Sequence, residues 1–202
     1  MKRTTQADKP EAVDLTPRTK ELLRSLPSVS SLLEHDEVKE WLHGLSRTPV
    51  TEALQAALRM AEQDLADRFG RPDPPGFAIV GLGKLGGMEL GYASDLDLIF
   101  AYRQDGTTTG PERVSHTEYF SKLADRVAKI LTSITQEGFA YRVDARLRPG
   151  GQKGELALPL QAFETHFTRL ADLWERQAYI KARPVAGDPA VGGAFLERTH
   201  RF

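Results

Sequence analysis

FAIVGLGKLGGMELGYASDLDLIFAY, residues 77–102, places a glycine-rich bend and a pair of aspartates between two apolar runs. Phe77–Val80 reads as a short buried strand. Leu96–Tyr102 (LDLIFAY) reads as a second, rich in the branched and aromatic residues that suit a pleated surface. The two are expected to be neighbours. Asp95 and Asp97 flank Leu96, and the two-residue period of a strand sends both carboxylates to one face, with Cα atoms roughly 6.5 Å apart. From that spacing they can share a cation. The bend also contains Gly81-x-Gly83-x-x-Gly86, the pattern of a dinucleotide-binding turn. That motif needs a helix after its last glycine, and the short stretch Gly87 to Ser94 leaves no comfortable room for one.

Downstream, residues 103–114 are polar, and Ser115 with Glu118 has capping-box spacing ahead of a helix. Phe120, Leu123, Val127, Ile130, Leu131 and Ile134 give that helix one apolar stripe, ending near Gly138. Phe139–Leu147 alternates as a third strand: Phe139, Tyr141, Val143, Ala145 and Leu147 face the core, while Arg142, Asp144, Arg146 and Arg148 face the other way. If this strand pairs beside Asp97, Asp144 joins Asp95 and Asp97 at one spot. Three unpaired carboxylates repel, and a hard divalent ion, magnesium or manganese rather than zinc, relieves that repulsion. The structural alternative is that Asp95 caps a turn and Asp144 pairs with Arg142 or Arg146 on a solvated face. Gly86 and Gly87 would let the backbone approach a phosphate, with Ser94 and Lys84 nearby and Arg146 and Arg148 as candidate clamps or as a solvated basic edge. A last helix, Leu160–Tyr179, is expected to bury Phe163, Phe167, Leu170 and Trp174 before ARPVAGDP stops it. Strands mixed with long helices point to an α+β or α/β architecture.

Upstream, Thr51–Phe69 shows a helical stripe (Leu54, Leu58, Ala61, Leu65, Phe69) closed by Gly70, and RPDPPG then breaks the chain. Residues 1–50 are expected to form a polar disordered tail to about residue 16 and a short helical extension, its second helix capped by Ser28 and burying Val29, Leu32, Leu33 and Val38. Residues 51–202 are expected to form the catalytic core. The chain has 202 residues, 40% hydrophobic and 27% charged, with no apolar run long enough to span a bilayer. Its first residues carry no apolar stretch of the secretory kind, so cytoplasm is the expected location. It has no cysteine, which excludes disulfides and thiolate chemistry. With 27 basic against 28 acidic residues there is no general attraction to nucleic acid. The five histidines show no metal-ligand spacing.

These residues resemble the glutamine synthetase adenylyltransferase/adenylyl-removing enzyme family, within the DNA polymerase β-like nucleotidyltransferases. The superfamily pattern of a glycine pair, Asp-x-Asp on the next strand and a later third carboxylate matches Gly86-Gly87, Asp95-Leu96-Asp97 and Asp144. GLGKLGGMELGYASDLDLIF, YRVDARLRPGG and WERQAYIKARPVAGD are similar to family segments in the right order, from about Thr51 to Phe202. The resemblance implies an α+β nucleotidyltransferase fold, a small mixed β-sheet covered by helices. It implies Mg²⁺, with Mn²⁺ as substitute, held by Asp95, Asp97 and Asp144, and ATP or ADP as nucleotide. Glutamine synthetase is the implied target and a PII-type nitrogen-signalling protein a further partner, with no membrane and no nucleic acid involved. The family has two similar halves, one attaching AMP to a tyrosine and one removing it by phosphorolysis to ADP. YRVDARLRPGG and GGAFLERTHRF look more like the removing half. The longer helical regions that flank the family's core do not fit in 202 residues, which implies a fragment or a stand-alone relative. The alternatives are ATP-dependent attachment, a catalytically idle regulatory module, or another acceptor. Lys181 and Arg183 either close over the nucleotide or serve a helix C-terminus, and Trp174 reads as core packing rather than a base-stacking platform.

Overall fold

A computed structural model describes residues 48–91, 94–133 and 141–200. Its elements begin with α1 (Thr48–Phe69), β1 (Pro72–Asp73), β2 (Phe77–Gly81), α2 (Gly83–Gly86), β3 (Leu96–Tyr102), β4 (Thr107–Thr108) and α3 (His116–Thr132). They continue with β5 (Val143–Asp144), β6 (Ala157–Pro159), α4 (Leu160–Arg169), α5 (Leu173–Tyr179), β7 (Arg183–Gly187) and α6 (Pro189–Thr199). The readings of a tail and of two helices within residues 1–47 lie outside the described residues.

The two runs that flank the glycine bend pair as expected. β2 and β3 are antiparallel, with Ile79 opposite Phe100 and Gly81 opposite Leu98. β7 pairs antiparallel with the free side of β2, and β5 and β6 pair parallel with successive parts of β3, giving a mixed sheet. Alternate residues feed two cores. Ile79, Leu98, Phe100 and Tyr102 pack with Leu54, Leu58, Phe120 and Val127 of α1 and α3. Ala78, Val80, Ile99 and Ala101 pack with Phe163, Tyr179, Val191 and Phe195 of α4, α5 and α6. Helices cover both faces, which is why these strands read as continuous apolar runs rather than as alternating ones. The α+β fold, a small mixed sheet covered by helices, is therefore the observed one.

Helix ends follow their residues. Gly70 takes φ +68° after α1, and a Cβ there would lie 2.4 Å from the backbone nitrogen of Gly110. The Ser115 side chain accepts the Glu118 N–H at 3.2 Å and starts α3. Ser133 then turns extended, and the expected continuation through Ile134 to Gly138 lies outside the described residues.

Three expectations need correction. The strand drawn through Leu147 stops at Asp144, whose Oδ1 accepts the N–H of Arg146 at 2.9 Å. This local turn breaks the alternation, so that Ala145 packs on the first core and Leu147 on the second. The helix drawn as Leu160–Tyr179 is two helices, because Asp172 and Glu175 form a capping box that starts α5 afresh. The break leaves Leu170 and Trp174 outside the core, 70% and 58% exposed, and buries Tyr179 instead. Trp174→Gln is accordingly expected to change the unfolding free energy by no more than about 0.5 kcal/mol, read by chemical denaturation; a loss of several kcal/mol would restore Trp174 to the core. Finally, RPVAG is not a stop but the strand β7. Pro184 is accommodated because β7 lies at the sheet edge, next to a register irregularity between Ile79 and Val80. Among the described residues no helix is long and apolar enough to cross a membrane.

Candidate active site

Asp97 and Asp144 are register partners on the parallel pair β3·β5. Their carboxylates therefore leave the same face of the sheet from neighbouring strands about 4.8 Å apart. Asp95 lies just before β3 and is exposed, while Asp97 is half-buried. The glycine bend meets them directly: Gly83 opens α2 at φ +51°, and a Cβ on it would fall 2.6 Å from Asp97 Oδ2. Only glycine gives both that backbone angle and that clearance.

The electrostatics of the pair are opposite. Burial pushes the Asp97 carboxyl above its ordinary value, and the charges of Asp144 and Asp95 push it further, with Arg146 opposing. Asp144 is held below its ordinary value, chiefly by hydrogen bonds from Arg146, whose Nε lies 3.0 Å from Oδ1 and 2.9 Å from Oδ2. Asp144 and Arg146 thus meet as the solvated-pair alternative expected. Among the described residues no three carboxylate or imidazole groups stand together as a ready cation cage. The donor chemistry still fits a hard divalent ion: three carboxylates, no nitrogen or sulfur, with one member raised by burial and, after that, by its like-charged neighbours. Arg146 and a cation compete for the same Asp144 oxygens.

Asp144 contributes stability that is present above its unfolded pKa and lost as pH falls through its lower folded value. In metal-free buffer its carboxyl is expected to titrate below 3.8, and Arg146→Gln to move it back up toward that value, followed by side-chain carboxyl NMR. An unchanged Asp144 titration would show that the arginine does not hold it in solution.

The other candidates fall into two groups. Lys84 is exposed beside Gly83 and makes no ion pair among the described residues, and Ser94 is half-buried, with its amide on Gly91 O at 3.2 Å. Gly86 and Gly87 serve a different purpose from the one expected of a phosphate-cradling pair. Their N–H groups donate to Leu82 O (2.9 Å) and Gly83 O (3.0 Å), within the turn. A Cβ on Gly86 would lie 2.0 Å from Lys181 O, and one on Gly87 2.8 Å from Lys181 Cδ. Lys181 Nζ reaches both carboxylate oxygens of Glu89 (2.8 and 2.9 Å), and Arg183 donates to Leu85 O (3.0 Å) and Gly86 O (3.3 Å). Lys181 and Arg183 therefore brace the glycine turn from behind. Arg148 is likewise committed, donating to Ala145 O, Gly154 O and Glu155 O, which folds the loop after β5 rather than leaving a phosphate clamp. Contacts to backbone carbonyls leave little trace in a sequence; the crowded glycines were the only available sign of this brace.

The family model for glutamate-ammonia ligase adenylyltransferase matches residues 17–198. A bifunctional glutamine synthetase adenylyltransferase/adenylyl-removing enzyme of Stenotrophomonas maltophilia is 42% identical over 172 residues, 83% of this chain and 18% of that protein. Proteins with the same description from Thioalkalivibrio sulfidiphilus and Methylococcus capsulatus are 46% identical over 135 residues and 43% identical over 153 residues, covering 65% and 70% of this chain. They are covered over 14% and 16% of their own lengths, so this chain spans less than a fifth of the curated relatives it matches.

Proposed function

The chain belongs to the glutamate-ammonia ligase adenylyltransferase family, and from that premise we propose that it removes AMP from a tyrosine of glutamine synthetase by phosphorolysis. The observation that carries this reading is the register pairing of Asp97 with Asp144 beside the Cβ-free Gly83. A phosphate oxygen forms the new bond to the α-phosphorus, the bond from that phosphorus to the tyrosine oxygen breaks, and the tyrosine takes up a proton, leaving ADP. Mg²⁺ or Mn²⁺ held by Asp95, Asp97 and Asp144 would supply neutralisation of the charge gathering on the phosphate oxygens. The missing Cβ of Gly83 lets the Asp97 carboxylate lie against the turn, exposed Lys84 supplies a positive charge at the same turn, and Arg146 brings a guanidinium to Asp144. The similarity of YRVDARLRPGG and GGAFLERTHRF to the removing half favours removal over attachment.

The test incubates the chain with adenylylated glutamine synthetase, inorganic phosphate and Mg²⁺ and measures ADP. ADP that appears only with phosphate supports the reading; its absence from a folded chain overturns it. The names of the relatives cover both directions, so a parallel incubation with unmodified glutamine synthetase and ATP, read as pyrophosphate, tests attachment. Calorimetric binding of Mg-ADP without turnover in either direction identifies an idle nucleotide-binding module. The same reading places the reaction in the cytoplasm, with a PII-type protein as a second partner, which a pull-down with purified PII protein tests.

A further inference from the structure

Away from the aspartates, the C-terminal half of α1, the loop between Gly70 and Gly76 and one side of α3 line a half-open cavity of about 390 Å³, within the range that holds small ligands. Its apolar wall is Ala66, Phe77, Phe120 and Leu123, with Phe77 and Phe120 stacked at 5.4 Å between ring centres. Its polar groups are Arg59, Glu62, Gln63, Arg71 and Tyr119.

Three observations distinguish it from an ordinary surface groove. Tyr119 lines the cavity with most of its side chain buried, and its hydroxyl makes no hydrogen bond to any described residue. A hydroxyl without a protein partner on a residue that lines a cavity is available to donate to an acceptor bound there. Burial and the Glu62 charge push the Tyr119 hydroxyl up to about 12, which keeps it a donor at neutral pH. Second, the exposed Arg59 and Arg71 side chains form no ion pair among the described residues, while most other described arginines are bonded to a carboxylate or a carbonyl. Third, Arg71 stands on a fixed mount: its N–H donates to Thr109 Oγ1 at 3.2 Å, and its carbonyl accepts from Thr109 N and Oγ1 at 3.0 and 3.1 Å. A guanidinium on a rigid backbone loses less freedom on binding.

Two arginines against one glutamate leave the cavity with one uncompensated positive charge, and its donors outnumber its acceptors. We infer that this cavity binds a small organic monoanion, an acid group on a flat apolar body, with the acid group on Arg59, Arg71 and Tyr119 and the body against Ala66, Phe77 and Leu123. The site does not use Asp95, Asp97 or Asp144, and it stands or falls apart from the adenylyl chemistry.

Phenylacetate is the probe and benzyl alcohol its uncharged counterpart, titrated into the purified chain and followed by amide NMR shifts. The expected result is saturable binding of phenylacetate with shifts centred on Arg71 and Tyr119, and no saturable binding of benzyl alcohol. Arg71→Ala and Arg59→Ala are each expected to weaken binding about tenfold. Tyr119→Phe keeps the ring against Phe69 and Phe120 and should weaken it about fivefold with the fold intact. Equal binding of the alcohol, variants that bind like the parent, or no saturable shift at millimolar phenylacetate would each overturn the proposal.

Discussion

Asp97→Asn is expected to lower phosphate-dependent ADP release by a factor on the order of 10³ or more while leaving the melting temperature at neutral pH equal or higher. The activity loss follows from removing the carboxylate that lies between Gly83 and Asp144. The stability gain follows from linkage. The folded Asp97 carboxyl titrates above its unfolded value, so the stability it adds is fully present below the ordinary aspartate value of 3.8 and is lost as pH rises through the folded value. At neutral pH the ionised group is held against burial and against the charges of Asp144 and Asp95. Asparagine removes that charge, and the gain should shrink toward zero in acid. Thermal melts across the pH range, paired with the ADP assay, check both halves. A melting temperature that falls sharply at neutral pH would mark Asp97 as a structural residue.

Gly86→Ala is expected to destabilise the fold by about 3 kcal/mol, a drop of roughly 10 °C in melting temperature for a chain of this size. Its new Cβ would lie 2.0 Å from Lys181 O and 2.7 Å from Gly81 O. Both are backbone atoms, so neither can step aside as a side chain would. The turn and the strand β7 must separate, and Arg183 then loses its hold on Leu85 O and Gly86 O. Gly83→Ala provides the contrast, since its Cβ meets a carboxylate rather than backbone: it should damage activity more than stability. A Gly86→Ala protein that melts like the parent would remove the brace from the account.

How much of this could be read from the chain depends on what kind of contact each residue makes. β2, β3, α1 and α3 were legible because burial on both faces leaves continuous apolar runs, and because Ser115 and Gly70 carry distinctive helix-end chemistry. The proximity of Asp97 and Asp144 was legible from strand period, given the pairing of their strands. The end of β5 was not, because the hydrogen bond from Arg146 N–H to the Asp144 side chain overrides an alternation that looks intact on paper. Nor was β7: Pro184 signals a break everywhere except at a sheet edge. Trp174 was misplaced because a helical stripe was carried across the Asp172 cap. The roles of Gly86, Arg148, Lys181 and Arg183 depend on backbone carbonyls, which every residue has, and no pattern of side chains announces them.

The central claim is that Asp95, Asp97 and Asp144 form one divalent-cation site against the Gly83 turn. Its most direct test is paramagnetic: Mn²⁺ is titrated into the folded chain, with and without ADP, while the carboxyl signals of the three aspartates and the Gly83 amide are followed by NMR. The account predicts that these four signals broaden together at substoichiometric Mn²⁺, that Mg²⁺ in excess restores them, and that Asp97→Asn abolishes the effect. Broadening centred elsewhere, or no affinity for Mn²⁺ in either condition, would contradict it.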